Sequence, residues 1–276
     1  MPIDGNTTRP TPVRLQPLVT GAVEGSGSSL RDAVRRATAE QVSPIVILQH
    51  DLASRWQLAL DLPRCRARLA AGHVAYDPLE AIGSAGNLLV SYVRATVAIE
   101  RAGLMTEEEA IQARERRFQL MSLVAAWLSG EPMPRERARA AARRAAALVA
   151  ASVLQRASQD VMEEGLPATW DRASCPCCGG CPDFALPARG GTRTLVCARC
   201  DAQWSTPSRG CIGCGETEEP MLARIVAPTL GFQLVICNPC GRYLKEPLDD
   251  TSVDPAVDRV LTQELDAAAE ARGLRL

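Results

Sequence analysis

The sequence predicts a fold of the α-plus-small-β class: an N-terminal helical bundle, then tandem rubredoxin-like or zinc-ribbon modules, then a C-terminal helix. Two observations carry this prediction. Alanine and arginine crowd the first two thirds of the 276 residues, while aromatic residues make up only 4%; this mixture suits long helices packed through small side chains. Ten of the eleven cysteines then fall within residues 175–240, where short apolar runs alternate with glycine and proline, as in β-hairpins.

Composition shifts divide the chain into four predicted segments. The first is rich in proline, glycine and serine and has no periodic apolar pattern, so we expect a flexible arm. The alanine-rich part that follows shows no internal repeat and is expected to be one bundle. The segments are a flexible arm (1–27), a helical bundle domain (28–170), a tandem four-cysteine metal-binding module (171–248) and a C-terminal helix (249–276).

Start and stop signals place the individual helices. Thr106 and Glu109 form a predicted capping box that opens one helix, and Gly103 is the expected stop of the helix before it. Pro63 is expected to end the second helix, because proline cannot continue the hydrogen-bond ladder. The predicted helices cover about 28–41, 45–62, 78–102, 106–128, 135–164 and 254–272. In the last of these, the apolar positions Val257, Val260, Leu261 and Leu265 fall on one face.

Four Cys-x-x-Cys pairs carry the strongest signal in the chain. Two intervening residues allow a tight turn, here termed a knuckle, that aims both sulfurs at one ion. Eighteen residues lie between Cys178 and Cys197, and 22 lie between Cys214 and Cys237. Each gap leaves room for a hairpin that brings two knuckles together. We therefore predict one ion on Cys175, Cys178, Cys197 and Cys200, and a second on Cys211, Cys214, Cys237 and Cys240.

The first knuckle has two possible registers, because the segment CPCCGGC also contains the pair Cys178/Cys181. We favour Cys175/Cys178, since Gly179 then follows its pair as Gly215 and Gly241 follow theirs, where a knuckle often needs positive φ. Cys177 and Cys181 are then extra thiols. They are either spectators or accessory thiols with redox or partner-binding roles.

Tetrathiolate geometry suits zinc and iron equally, so the spacing does not decide between them. With four sulfurs bound, neither ion keeps an open position for activating water, which disfavours a hydrolase. The sequence offers no other catalytic constellation, and we expect no enzyme activity. His50 and His73 are expected to be ordinary bundle residues, and Cys65 an ordinary partly buried thiol.

Charge and hydropathy predict the cellular location of the protein. The net charge of −1 and the pI of about 6.2 give no global basic field for nucleic acid or membranes. The N-terminus has neither an apolar signal region nor a twin-arginine pair. The apolar run at 88–99 is interrupted by Arg94 and is too short to span a bilayer, so we expect a buried helix and a soluble cytoplasmic protein. Oligomeric state is left open.

The cysteine string resembles a known family. It runs Cys175-Pro-x-Cys178-Gly, Leu195-x-Cys197-x-x-Cys200-x-x-x-Trp204, Cys211-x-x-Cys214 and Cys237-x-x-Cys240-x-x-Tyr243-Leu244-Lys245. This string, with the acidic helix after it, resembles the formate dehydrogenase accessory proteins, the FdhE family, over roughly residues 175–266. Cys177 and Cys181 replace non-cysteine residues of the family, which indicates a divergent member.

The resemblance implies a non-catalytic maturation factor with two rubredoxin-like sites, iron favoured over zinc. Such a factor would bind the catalytic subunit of a molybdenum- or tungsten-dependent formate dehydrogenase and support its activation. Two alternatives remain open. One is an iron-based electron-transfer protein. The other is a nucleic-acid-binding zinc ribbon, with phosphate contacts from Arg189, Arg193, Arg199, Arg209 and Arg224.

Three residues beside the knuckles are candidates for contact with a partner: Trp204, Tyr243 and Lys245. An aromatic patch facing a client would place the two rings at the surface. The competing interpretation is that the rings pack beneath the metal sites as part of the ribbon core.

Overall fold

The computed structural model describes residues 27–165, 170, 172–189, 192–207, 210–249 and 253–276. All but the last residue of the predicted arm lies outside them. Seven α-helices form the N-terminal bundle, and a 3-10 turn at Arg116–Gln119 joins the fifth to the sixth. The helices are α1 (Gly27–Arg55), α2 (Leu62–Ala70), α3 (Pro78–Ser84), α4 (Leu88–Arg101), α5 (Glu107–Glu115), α6 (Leu120–Leu128) and α7 (Arg137–Glu163).

Helix α7 is the centre of the bundle and contacts each of α1 to α6. Its alanines, among them Ala142, Ala145 and Ala146, are excluded from solvent. Because alanine has only a methyl side chain, neighbouring helices can approach α7 closely on several sides. The alanine-rich composition therefore builds the core of the bundle, as predicted.

Several predicted helix boundaries are wrong. The first two predicted helices are one helix, α1, with Pro44 inside it. Pro63 does not end a helix but lies in the first turn of α2, where Asp61 caps the N-terminus and a missing N–H costs nothing. The predicted helix 78–102 is divided at Gly86 and Asn87, and the helix 106–128 at the 3-10 turn.

The predicted helix cap and the predicted helix stop are confirmed. Thr106 and Glu109 make both bonds of the capping box, and Gly103 follows α4 with φ of 69°. The buried helix predicted at 88–99 is confirmed by α4, which encloses Tyr92, Ala95 and Ile99. In the described part of the chain, no single helix is long and apolar enough to cross a bilayer. Helices α3 and α4 meet that test only as a pair, bent by 99°.

One six-stranded sheet carries both cysteine modules. Strands β1 to β3 form an antiparallel unit, as do β4 to β6, and the units join where β1 pairs in parallel with β6 at Phe184 and Lys245. The strand order is β3-β2-β1-β6-β5-β4. The strands are β1 (Pro182–Arg189), β2 (Thr192–Cys197), β3 (Gln203–Pro207), β4 (Leu222–Ala227), β5 (Phe232–Cys237) and β6 (Tyr243–Pro247).

The sheet lies between two layers of helices. Alternate residues point to opposite faces, so Ala185 and Leu195 join the core of the bundle while Phe184 and Val196 join a second core. Helices α8 (Pro255–Leu261) and α9 (Gln263–Glu270) cover the second face; the single helix predicted there is broken at Thr262. The apolar face predicted for it is confirmed at its three buried positions: Val257, Leu261 and Leu265. The segment boundaries at 170 and 248 stay predictions.

Candidate metal centres

All four knuckles have the same backbone. In each one, the residue after the second cysteine has positive φ and donates its N–H to the carbonyl of the first cysteine; the donors are Gly179, Asp201, Gly215 and Gly241, with N–O distances of 2.8–3.2 Å. The N–H of the first cysteine in turn bonds the carbonyl five residues on. Three glycines supply the left-handed position at no steric cost. The recurrence supports the register Cys175/Cys178 over Cys178/Cys181.

The structure brings the eight paired cysteines into two groups of four, with the sulfurs of each group within 4.8 Å of one another. The groups are Cys175, Cys178, Cys197 and Cys200, and Cys211, Cys214, Cys237 and Cys240. In the first group the Sγ atoms of Cys175 and Cys200 are 3.5 Å apart. A tetrahedral ion with metal–sulfur bonds near 2.3 Å holds its sulfurs about 3.8 Å apart. The two groups therefore fit a tetrathiolate ion, and each could hold one.

Backbone hydrogen bonds prepare the sulfurs for negative charge. The N–H of Gly213 donates to Cys211 Sγ at 3.3 Å, and the N–H of Arg199 donates to Cys197 Sγ at 3.4 Å. Burial raises the pKa of Cys211, but N–H groups of its own knuckle, together with the neighbouring Cys240 and Cys237 thiols, outweigh that and leave the pKa below its usual value. A thiolate is the form that binds a metal.

The first cluster lies at the junction between the bundle and the sheet, and all four of its cysteines are buried. The carbonyl of Pro176 accepts from the N–H of Ala75 at 2.9 Å. From α7, Ser158 Oγ donates to the carbonyl of Cys200, also at 2.9 Å. Both the loop after α2 and the central helix therefore bond directly to this cluster's knuckles.

The charges of this cluster are unfavourable in its surroundings. Burial raises the pKa of Cys200 well above its usual range. Burial acts in the same direction on Cys175, but the neighbouring Cys177 and Cys178 thiols donate to its sulfur and lower its pKa to about 6. Ionised thiols in a buried position require a compensating cation. A divalent or trivalent metal ion would supply that charge.

Asp201 is the exception among the four left-handed positions, because it is not glycine. Its φ is 57°, a conformation that costs other residues free energy but is tolerated by aspartate. Two side chains hold its carboxylate: Gln155 of α7 donates to Oδ2 at 2.6 Å, and Arg259 of α8 donates to Oδ1 at 2.7 Å. Bonds from both helix layers thus fix this knuckle.

Arg259, on the helix that covers the second face of the sheet, bonds to the first cluster. Its guanidinium also donates to Asp183 Oδ2 at 2.7 Å and to the carbonyl of Cys197 at 2.8 Å. Burial opposes its charge, but the carboxylates of Asp183 and Asp201 outweigh that and raise its pKa. Sequence reasoning missed Arg259, Asp183 and Asp201. The one signal available was the absence of glycine after Cys200, where the other three knuckles have it.

The second cluster lies near the surface. Cys237 is buried, Cys211 and Cys240 are partly exposed, and Cys214 is exposed. The side chain of Arg242 passes so close to Gly213 that a side chain at position 213 would force Arg242 to move. Burial raises the pKa of Cys237 despite a backbone bond to its sulfur. This cluster is accessible to solvent and to other molecules in a way that the first is not.

The two extra thiols lie outside both groups. Cys177 is completely buried, and its pKa is raised by its bond to Cys175 and by burial, so it stays protonated. Cys181 is partly exposed, and its sulfur accepts from Arg242 Nη1 at 3.5 Å. Cys181 thus connects the first module to the knuckle of the second.

The residues suggested for partner contact are internal. Trp204 is 3% exposed and donates its indole N–H to the carbonyl of Arg172. Tyr243 and Lys245 are 2% and 1% exposed, and both donate to the carboxylate of Asp266 on α9. An aromatic surface patch is therefore not formed by these side chains. For the two rings the structure favours the competing interpretation of a core position: Trp204 packs in the core shared with the bundle, and Tyr243 packs in the second core.

The remaining candidates lie as follows. Arg193 is buried and bonds the carbonyl of Gly210, Arg199 bonds the carbonyl of Leu128, and Arg224 pairs with Glu246. Arg209 and the side chain of Arg189 lie outside the described residues. His50 and His73 are exposed and belong to neither cluster. Cys65 is buried, and burial raises its pKa.

Comparison with known proteins finds curated relatives that are all described as FdhE homologues. No family model matches the chain. The FdhE homologue of Shewanella baltica strain OS185 is 27% identical over 107 residues, which cover 37% of this chain and 36% of that protein. The FdhE homologue of Haemophilus ducreyi is 28% identical over 108 residues, 37% of this chain and 35% of that protein. The match thus spans about a third of the curated relatives' length.

A solved structure extends the comparison to the fold. The crystal structure of the FdhE protein from Pseudomonas aeruginosa superimposes with a TM-score of 0.61 at 21% identity, and the match covers 90% of each chain. The shared fold therefore includes the helical bundle as well as the cysteine modules. The resemblance indicated by the cysteine string is confirmed.

Proposed function

We propose that this chain, a divergent relative of the FdhE proteins, is a cytoplasmic maturation factor that binds the catalytic subunit of a formate dehydrogenase and supports its activation. The observation that carries the proposal is the pair of tetracysteine clusters in an FdhE-like fold. Each cluster offers four sulfurs to one ion, and four sulfurs complete a tetrahedral shell. An ion held in this way has no open position at which to bind substrate or activate water.

The two clusters take different parts in this proposal. The first, enclosed by the bundle and the sheet, fixes the arrangement of the two layers. The second, with Cys214 exposed, is the part that a client subunit can reach. We assign iron to both sites on the resemblance to the FdhE family, and the metal would supply either a rigid crosslink or a one-electron couple.

Nucleic-acid binding is disfavoured by the arginines that suggested it. A phosphate-binding arginine needs a guanidinium that is free to face solvent. The three of these arginines whose side chains are described are each bonded within the protein, to Gly210, Leu128 and Glu246 respectively. The structure therefore gives no specific support to this alternative.

Deletion of the gene for this protein in its source organism tests whether a formate dehydrogenase is the client. We expect formate dehydrogenase activity to fall and to recover when the wild-type chain is restored. A Cys237→Ser chain should fail to restore it, whereas Cys181→Ser, a matched thiol outside both clusters, should succeed. The catalytic subunit should co-purify with the wild-type chain. Unchanged formate dehydrogenase activity in the deletion strain would contradict the proposal.

A further inference from the structure

A cavity of about 560 Å³ opens in the bundle between the end of α1 and the start of α4. No cysteine lines it, and its size is that of a small-molecule site. Arg55 and Trp56 contribute from α1 and the segment after it, and Asn87, Ser91 and Arg94 contribute from α4. Neither metal centre uses this cavity.

The N-terminus of α4 opens into the cavity without a side-chain cap. Asn87 occupies the N-cap position with φ of 59°, and its side chain bonds none of the first-turn amides. The first intrahelical bond of the 14-residue helix is donated by Ser91 N. Partial positive charge and free N–H groups at a helix start favour an anion.

Ser91 gives a second, independent indication of a ligand. The residue is only 4% exposed, yet it lines the cavity, and its hydroxyl makes no hydrogen bond to any described residue. Other buried serines of the bundle are bonded: Ser152 Oγ donates to the carbonyl of Val149, and Ser158 Oγ to that of Cys200. Among the described residues, Ser91 Oγ is not one of the fully enclosed polar atoms left without a partner. The oxygen therefore reaches the cavity, and its available partner is a molecule within it.

Both charged side chains that line the cavity, Arg55 and Arg94, are positive. Asp51 pairs with both Arg55 and Arg94, so two guanidinium groups share one carboxylate and one positive charge is left over. The pairing with Arg94, ahead of that with Arg55, lowers the pKa of Asp51 and keeps it ionised. No carboxylate lines the cavity among the described residues. The wall opposite the arginines is apolar, formed by Leu52, Trp56 and Val90.

We propose that this cavity binds a small organic phosphate. The phosphate group lies at the start of α4, accepting from the first-turn amides, from Ser91 Oγ and from the guanidinium of Arg94. The organic part lies against Trp56 and the two aliphatic side chains. A free inorganic ion would fill only a fraction of the volume, so the organic part is required to exclude water from the apolar wall.

Titration calorimetry with three probes tests the proposal on the full chain: adenosine 5′-monophosphate, adenosine and inorganic phosphate. We expect the nucleotide to bind most tightly and at least about tenfold better than adenosine, because only the nucleotide offers a charged acceptor to the helix start and to Arg94. Inorganic phosphate should bind weakly and compete with the nucleotide. Equal affinity for the nucleotide and adenosine, or no binding of either phosphate probe at millimolar concentration, would overturn the proposal.

Matched variants of one helix separate the site from general charge effects. Arg94→Gln should weaken nucleotide binding about tenfold or more, and Ser91→Ala about threefold to tenfold. Arg101→Gln makes the same charge change at the exposed far end of α4 and should leave binding unchanged. Equal losses in Arg94→Gln and Arg101→Gln would overturn the proposal. Thermal unfolding of Ser91→Ala near that of wild type shows that its loss of affinity is local.

Discussion

The two tetracysteine clusters share one local backbone and differ in everything around it. The first is buried between the bundle and the sheet, and bonds from Ala75, Ser158, Gln155 and Arg259 reach its knuckles. The second has an exposed cysteine and receives Arg242 across Gly213. Knuckles with the same backbone therefore lie in different surroundings: an ion in the first cluster would crosslink the two layers, and an ion in the second would be accessible from solvent.

The largest expected difference comes from removing one ligand at equivalent positions. All four tryptophans lie in or against the core that contains the first cluster, so their fluorescence reports unfolding of that core. Cys197→Ser should lose about one ion and lower the free energy of unfolding by more than about 4 kcal/mol. Cys237→Ser should also lose about one ion but change this transition by less than about 1 kcal/mol. Equal shifts would remove the distinction between the clusters.

Removing the side chain of Arg259 on α8 should lower the free energy of unfolding almost as much. Arg259→Met leaves the buried carboxylate of Asp183 without its cation, which is expected to cost about 3–5 kcal/mol in the free energy of unfolding. Arg272→Met is the matched control, because Arg272 is exposed, follows the end of α9, and its side chain donates to the carbonyl of Ala268 on that helix. Urea unfolding followed by tryptophan fluorescence measures both. A small effect of Arg259→Met would mean that the first cluster does not depend on α8.

The left-handed aspartate gives a smaller and more specific prediction. Asp201→Gly supplies the residue that the other three knuckles use, so it relieves backbone strain but loses the bonds to Gln155 and Arg259. We expect a net loss of about 1–2 kcal/mol in the free energy of unfolding. Asp201→Asn keeps the tolerance of positive φ and should lose slightly less. A gain in stability for the glycine variant would show that the bonds to both helix layers contribute little.

The smallest effect is expected from the two extra thiols. Replacing Cys177 by Ala and Cys181 by Ser should leave about two ions bound, because neither sulfur belongs to a group of four. Cys175→Ser should lose about one. If instead Cys181→Ser loses an ion while Cys175→Ser does not, the register of the first knuckle is Cys178/Cys181. Elemental analysis of the three variants distinguishes these results.

Sequence patterns correctly predicted the knuckles and the start of one helix. The spacing of the cysteines and the glycines after them predicted the grouping of the sulfurs, and Thr106 and Glu109 predicted a helix start. The helix start and each knuckle depend on a few consecutive residues, and the grouping depends on hairpin-sized gaps between the knuckles. The breaks at Asn87 and Thr262 were missed because apolar periodicity continues across them, and only packing shows where the chain turns.

Features that depend on distant residues could not be predicted in this way. The parallel pairing of β1 with β6 joins two modules that spacing treats as separate. The left-handed Asp201 is stabilised by Gln155 and Arg259, which lie 46 and 58 residues away along the chain. The burial of Trp204 and Tyr243 likewise follows from the two layers of helices that cover the sheet, not from their positions beside the knuckles.

Metal release from the anaerobically purified chain tests the central claim most directly. Elemental analysis and the visible spectrum establish the number and identity of the ions, and excess chelator is then added while tryptophan fluorescence is followed. We predict about two ions per chain. The ion of the second cluster should be lost first without a change in fluorescence, and the other should be retained until the core unfolds. Loss of both ions in a single phase, or a content of one ion per chain, would contradict the division into a buried crosslink and an accessible centre.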